Sequence, residues 1–153
     1  MNLLFSEVLE QVDKLKSKEE KIGFLRKHGH AAYKGIFRIN FDESVSMNLP
    51  EGEPPFRKEG GKPIGYQETN LIQEFRRFYI WLDPKQNLTK IRKEKLFIEM
   101  LEGLHVSEAE VLCLAKDRKI QKKYKSINYE IVREAFPDLL PIKEKKEKTV
   151  PLS

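Results

Sequence analysis

One cysteine and three histidines stand in 153 residues. A single thiol forms no intramolecular disulfide and no multi-thiolate metal site, and it fits a reducing compartment. No apolar run approaches the roughly 18–20 residues that a membrane span needs. The stretch Met1–Glu7 has neither the basic start nor the long apolar centre of a signal peptide. Phosphate-binding signatures are missing too. Gly60, Gly61, Lys62 and Pro63 resemble a phosphate loop faintly, but Phe56 stands where its first glycine belongs. Pro63 also replaces the hydroxyl that would hold magnesium.

What is abundant is charge. Lys and Arg number 29 against 24 Asp and Glu, a formal net charge of +5, and charged residues make up 35% of the chain. The usual share is about 25%, so the surface must be densely ionic. The hydrophobic 39% and aromatic 10% suffice for one core, and the length suits one domain of roughly 100–150 residues. The charge is unevenly spread. Lys116, Arg118, Lys119, Lys122, Lys123 and Lys125 fall within ten positions that hold one acid, Asp117, so this segment alone carries +5 and the other 143 residues sum to zero. A milder cluster is Lys90, Arg92, Lys93 and Lys95 around Glu94. A charge run can be merely a solvated face. Cations this crowded repel one another, however, and a polyanion would relieve that repulsion.

Helical periodicity runs through most of the chain. Phe5, Val8, Val12 and Leu15 recur at spacings of three and four, with Leu9 beside them. Ser17 and Glu20 form a capping-box pattern ahead of Ile22, Phe24 and Leu25. A third helix carries Ala31, Ala32, Ile36, Phe37 and Ile39. Residues 42–68 break the pattern with four prolines and four glycines in 27 positions, which predicts a long loop. Periodicity resumes over Leu71–Leu82, and again from Leu88 to Leu104. Ser107 and Glu110 form a second capping-box pattern, predicting a helix through Leu114 that enters the basic segment as it ends. Asn128 caps a last helix carrying Ile131, Val132 and Phe136, and Pro137 stops it. The expectation is an all-α fold, a compact domain of about seven helices over residues 1–141. A charged, disordered tail should follow over 142–153.

The candidate chemical groups are sparse. His28, His30 and His105 read as ordinary polar residues rather than metal ligands. Cys113 reads as a small buried hydrophobe, and Trp81, with Phe75, Phe78 and Tyr79, as core rather than a base-stacking platform. No catalytic constellation emerges, and the expectation is a non-enzymatic protein with no cofactor and no metal.

The order of elements resembles one family, the N-terminal helical DNA-binding domain of tailed-phage ATP-dependent DNA ligases. The opening pair, Phe5–Val12 and Ser17–His28, looks like that domain's first two helices, and the third helix likewise leads into a Gly/Pro-rich loop. Glu110–Asp117, a basic loop and then Ile131–Pro141 are similar to its closing run. The resemblance spans residues 3–141. It implies a module that grips duplex DNA through backbone and minor groove, with Lys116 and the following loop facing phosphates. The ligases also need a Lys-x-Asp-Gly motif in a nucleotidyltransferase domain, yet none of Asp13, Asp42, Asp83, Asp117 or Asp138 precedes a glycine. The expectation is therefore the binding module without the catalyst.

On this reading the chain binds double-stranded DNA, nicked or intact, with little sequence specificity and with no membrane attachment. Lys116, Arg118, Lys119, Lys122, Lys123 and Lys125 would form the main contact and Lys90 and Lys93 a second. Six phosphate contacts predict a salt slope of about −5. The alternative is a protein-interaction or virion-associated module whose basic segment meets an acidic partner, with the 42–68 loop and its Phe56 and Tyr66 as docking arm. The expected location is the cytoplasm, that of the host if the source is viral.

Overall fold

The computed structural model describes residues 3–57, 68–83 and 85–141. The tail 142–153 and the loop residues 58–67, Tyr66 among them, lie outside the described residues. Every described regular element is a helix. The fold is all-α, as its periodicity predicts.

Three helices open the chain: α1 (Phe5–Lys14), α2 (Lys18–Lys27) and α3 (Ala31–Phe41). Their boundaries follow from side chains that satisfy the free N–H groups of a first turn. Ser17 Oγ accepts from Glu20 N at 3.1 Å while Glu20 Oε1 accepts from Ser17 N at 3.3 Å, the capping box read in the sequence. His30 Nδ1 accepts from Ala32 N at 3.0 Å and so starts α3.

The stripe over residues 71–82 is broken into α4 (Leu71–Glu74), a tighter 3-10 turn (Phe75–Arg77) and α5 (Tyr79–Leu82). A close approach accompanies the break. The Phe75 ring lies over Gly35 of α3, where a Cβ would sit 2.2 Å from the ring. Next come α6 (Lys90–Gly103), capped by Thr89, and α7 (Val106–Lys116). The start of α7 departs from expectation. His105 is the cap, its Nδ1 accepting from Ser107 N at 3.1 Å. Ser107 Oγ lies 2.8 Å from both His105 Nδ1 and Ser6 Oγ. The helix therefore begins two residues earlier than the Ser107 pattern suggests. A short α8 (Ile120–Lys123) and α9 (Tyr129–Ala135) complete the fold. Asn128 caps α9, as read from sequence, its Oδ1 accepting from Ile131 N at 2.9 Å.

The core joins all of these. Phe5, Leu9, Val12, Leu25, Ile36, Phe37, Leu71, Phe78, Trp81, Leu101, Leu112 and Val132 are buried. Trp81 is packed edge-on against Phe97, 5.8 Å between ring centroids, and Cys113 is a buried free thiol. One buried carboxylate ties three helices: Glu108 of α7 accepts from Phe5 N and Leu71 N, each at 3.1 Å, at the first residues of α1 and α4. Burial outweighs these two hydrogen bonds and pushes its carboxyl up to about 7.

Candidate nucleic-acid interface

The basic segment is built as a folded corner. α7 ends at Lys116, and Arg118 takes a left-handed backbone with φ of 62°. α8 follows, held down by three residues at helical spacing, Ile120, Tyr124 and Ile127, all buried. Asn40 of α3 fixes its start: Asn40 Oδ1 accepts from Ile120 N at 3.0 Å and its Nδ2 donates to Gln121 Oε1 at 2.9 Å. Asp13 of α1 holds the far end, accepting from Ser126 N at 3.1 Å and from Ser126 Oγ at 2.6 Å.

Two of the six expected phosphate contacts face the protein instead of solvent. Lys116 has a side-chain exposure of 2%, and its Nζ donates to Pro50 O at 2.7 Å, Gly52 O at 3.0 Å and Asp117 Oδ1 at 2.7 Å. Arg118 donates through Nη1 to Ile39 O and Asp42 O, each at 2.8 Å, and through Nη2 to Val45 O. These carbonyls belong to the end of α3 and to the first part of the Pro/Gly-rich loop. A buried cation needs such partners, since an unpaired one costs several kcal/mol by about that order. Lys116 and Arg118 are thus withdrawn from the expected DNA contact: they are the pins of a strap. Asp117 Oδ2 adds a third pin by accepting from Gly52 N at 2.9 Å.

The other cations of the segment lie outward. Lys119 Nζ pairs with Glu51 Oε2 of the strap at 2.9 Å, which raises the lysine's pKa above its ordinary value. Lys123 Nζ stands 3.8 Å from Glu110 Oε1 and 5.6 Å from the centre of the Tyr124 ring. Both pairs are solvent-exposed, where an ion pair is weak and yields readily to salt. Lys122 and Lys125 are exposed, and among the described residues they form no ion pair. Lys90 is exposed and Lys93 half-buried, in the first turns of α6.

The strap separates these clusters. Leu49–Pro55 bridge a cleft of about 480 Å³ that Glu94, Phe97 and Ile98 of α6 line on one side and Lys116 on the other. Farther on, Arg57 N donates to Glu102 Oε2 at 2.9 Å, and Phe56 packs half-buried on the core. The described half of the 42–68 loop is therefore fastened to the body; its expected role as a free docking arm is not what Phe56 displays.

A model described as a family of unknown function, DUF6433, matches residues 8–122. The chain belongs to this family. The matched span runs from α1 into α8, and so includes the strap with its pins Lys116, Asp117 and Arg118 and the exposed Lys119 and Lys122. No curated protein and no solved structure matches the chain.

The histidines have local duties. His30 and His105 cap helices, and the His28 ring lies on Phe24, 4.5 Å between centroids. Among the described residues no three His, Cys, Asp or Glu side chains are grouped to hold a metal ion, and no helix is long and apolar enough to cross a membrane. What sequence reasoning missed are the acids and the amide that organise the basic corner: Asp13, Asn40, Glu51 and Asp117. Only Asp117 had a signal, its place inside the cationic run.

Proposed function

We propose that the protein binds duplex DNA through the phosphate backbone, without catalysis and with little sequence preference, using Lys119, Lys122, Lys123 and Lys125. The observation that carries this reading is the display of four cations from the cap of α8, Lys119, through the helix to the turn after it, a short element anchored by Ile120, Tyr124 and Ile127. A rigid mount lowers the entropy lost when lysines meet phosphates. Counterion release then supplies the affinity. The resemblance of residues 3–141 to the ligase DNA-binding domain favours duplex DNA over other polyanions. Lys90 and Lys93 stand outside this contact, since exposed Ile91 between them gives their patch a different character.

Four contacts predict a slope of log affinity against log salt of about −3.6. The test is a salt titration on intact duplex, nicked duplex and single strand, using the wild type and a Lys122→Glu, Lys125→Glu double variant. The variant should bind duplex far more weakly and with a slope shallower by about 2. Failure of the wild type to bind at low salt, or a flat slope, rejects the reading.

A further inference from the structure

The three large hydrophobic side chains exposed among the described residues fall within one stretch of chain. Tyr79 is 53% exposed, Leu88 37% and Ile91 80%. Leu88 and Ile91 stand three residues apart at the start of α6, and Tyr79 lies on the preceding α5. Trp81, two residues after Tyr79, donates from Nε1 to the carbonyl of Lys93 at 3.0 Å, which locks α5 against the first turns of α6. Single exposed apolar residues are ordinary; several together on one corner mark a contact surface.

Around Ile91 cations outnumber acids. Lys90, Arg92 and Lys95 are exposed beside Ile91, and among the described residues neither they nor Lys93 form an ion pair. The one acid of the cluster, Glu94, lines the strap cleft. The first turn of α6 contains no acid either, so its amino end adds its own positive field. The strap covers α6 at Glu94, Phe97 and Ile98 but does not reach Ile91, one to two turns earlier.

We propose that this α5–α6 corner is a docking surface for an acidic segment of another protein that carries apolar side chains. The cations call for carboxylates, and Ile91 with Leu88 calls for apolar groups that a sugar–phosphate backbone does not offer. An anionic bilayer fits poorly as well, because Glu99 and Glu102 follow on the same helix toward its carboxyl end. The inference does not depend on DNA binding by α8.

The test uses three probes: an amphipathic peptide with leucines on one face and glutamates on the other, a polyglutamate peptide of equal charge, and phosphatidylserine vesicles. The leucine–glutamate peptide should bind and slow hydrogen exchange at residues 88–95. Ile91→Ala, at a position too exposed to disturb the fold, should weaken it roughly tenfold, the loss expected when a few methyl-sized groups leave a covered contact. Lys95→Glu should weaken it about fivefold, and Lys122→Glu should leave it unchanged. Equal binding by polyglutamate, tighter binding by the vesicles, indifference to Ile91→Ala, or no binding of the leucine–glutamate peptide would each overturn the proposal.

Discussion

The ammonium of Lys116 donates to the carbonyl oxygen of Gly52, 3.0 Å away across 64 residues of sequence. This contact turns a residue of a basic run into an internal fastening. Lys116→Met should therefore destabilise the fold by roughly 1–3 kcal/mol, because Pro50 O, Gly52 O and Asp117 lose a charged donor together. Lys122→Met, at an exposed neighbour, should stay within about 0.5 kcal/mol of wild type. Urea unfolding of the two variants decides the matter; equal losses would mean that Lys116 pins nothing.

Much of the fold was legible because its signals are local. Ser17 and Asn128 announce helix starts through their own hydrogen bonds, and apolar residues at spacings of three and four mark the buried faces of α1 and α3. On α6 the same spacing misleads at its start: Leu88 and Ile91 are exposed, and Phe97, Met100 and Leu101 are the buried residues. The misreadings have a common cause, which is contact between distant parts of the chain. Nothing near Phe75 shows that its ring must fit over Gly35, and nothing near Lys116 shows that strap carbonyls await its ammonium. His105 takes the cap in place of Ser107, whose hydroxyl lies between His105 Nδ1 and Ser6 Oγ of the distant α1. The basic segment did hold one neglected local signal. Ile120, Tyr124 and Ile127 at helical spacing give it an apolar underside, so a reading by charge alone missed α8.

Gly35 is the second place where one atom decides packing. A Cβ there would lie 2.2 and 2.3 Å from two atoms of the Phe75 ring. The ring reaches from the 3-10 turn onto α3 and packs 5.1 Å from Phe78, so moving it off Gly35 also disturbs that ring contact. Gly35→Ala should cost about 1–3 kcal/mol through overpacking, despite alanine's better helix propensity. Pairing it with Phe75→Leu should recover part of the loss. A stabilised Gly35→Ala in thermal unfolding would contradict this packing.

Glu108 makes stability depend on pH in an unusual direction. Its carboxyl is pushed up to about 7 in the fold from 4.5, chiefly by burial. Between those values the native state holds a proton that the unfolded chain has released. Stability from this group is thus full below about pH 4.5, falls as pH rises through 7, and levels off above. The drop amounts to roughly 3 kcal/mol. Glu108→Gln should remove that slope, and it should also lower stability at acidic pH, since a side-chain amide can accept from only one of Phe5 N and Leu71 N without turning its NH2 toward the other. Denaturant melts from pH 4.5 to 8 give the comparison; parallel pH curves for the two proteins would show that Glu108 does not titrate in this window.

In the proposed DNA interface Glu51 is a built-in competitor for phosphate. Its carboxylate occupies Lys119 at 2.9 Å, so a phosphate reaching that lysine must displace it. The strap keeps Glu51 close through Lys116 and Asp117, which bind Pro50 and Gly52 on either side. Removing the charge with Glu51→Gln should free Lys119 and strengthen duplex binding about two- to fivefold at low salt, the range of an exposed ion pair. The gain should shrink toward nothing as salt rises, because the competing pair is screened along with the DNA contact. Duplex affinity that is unaltered in Glu51→Gln at every salt concentration, in a protein that otherwise binds with the slope of four contacts, would place Lys119 outside the DNA interface and leave Lys122, Lys123 and Lys125 to form it.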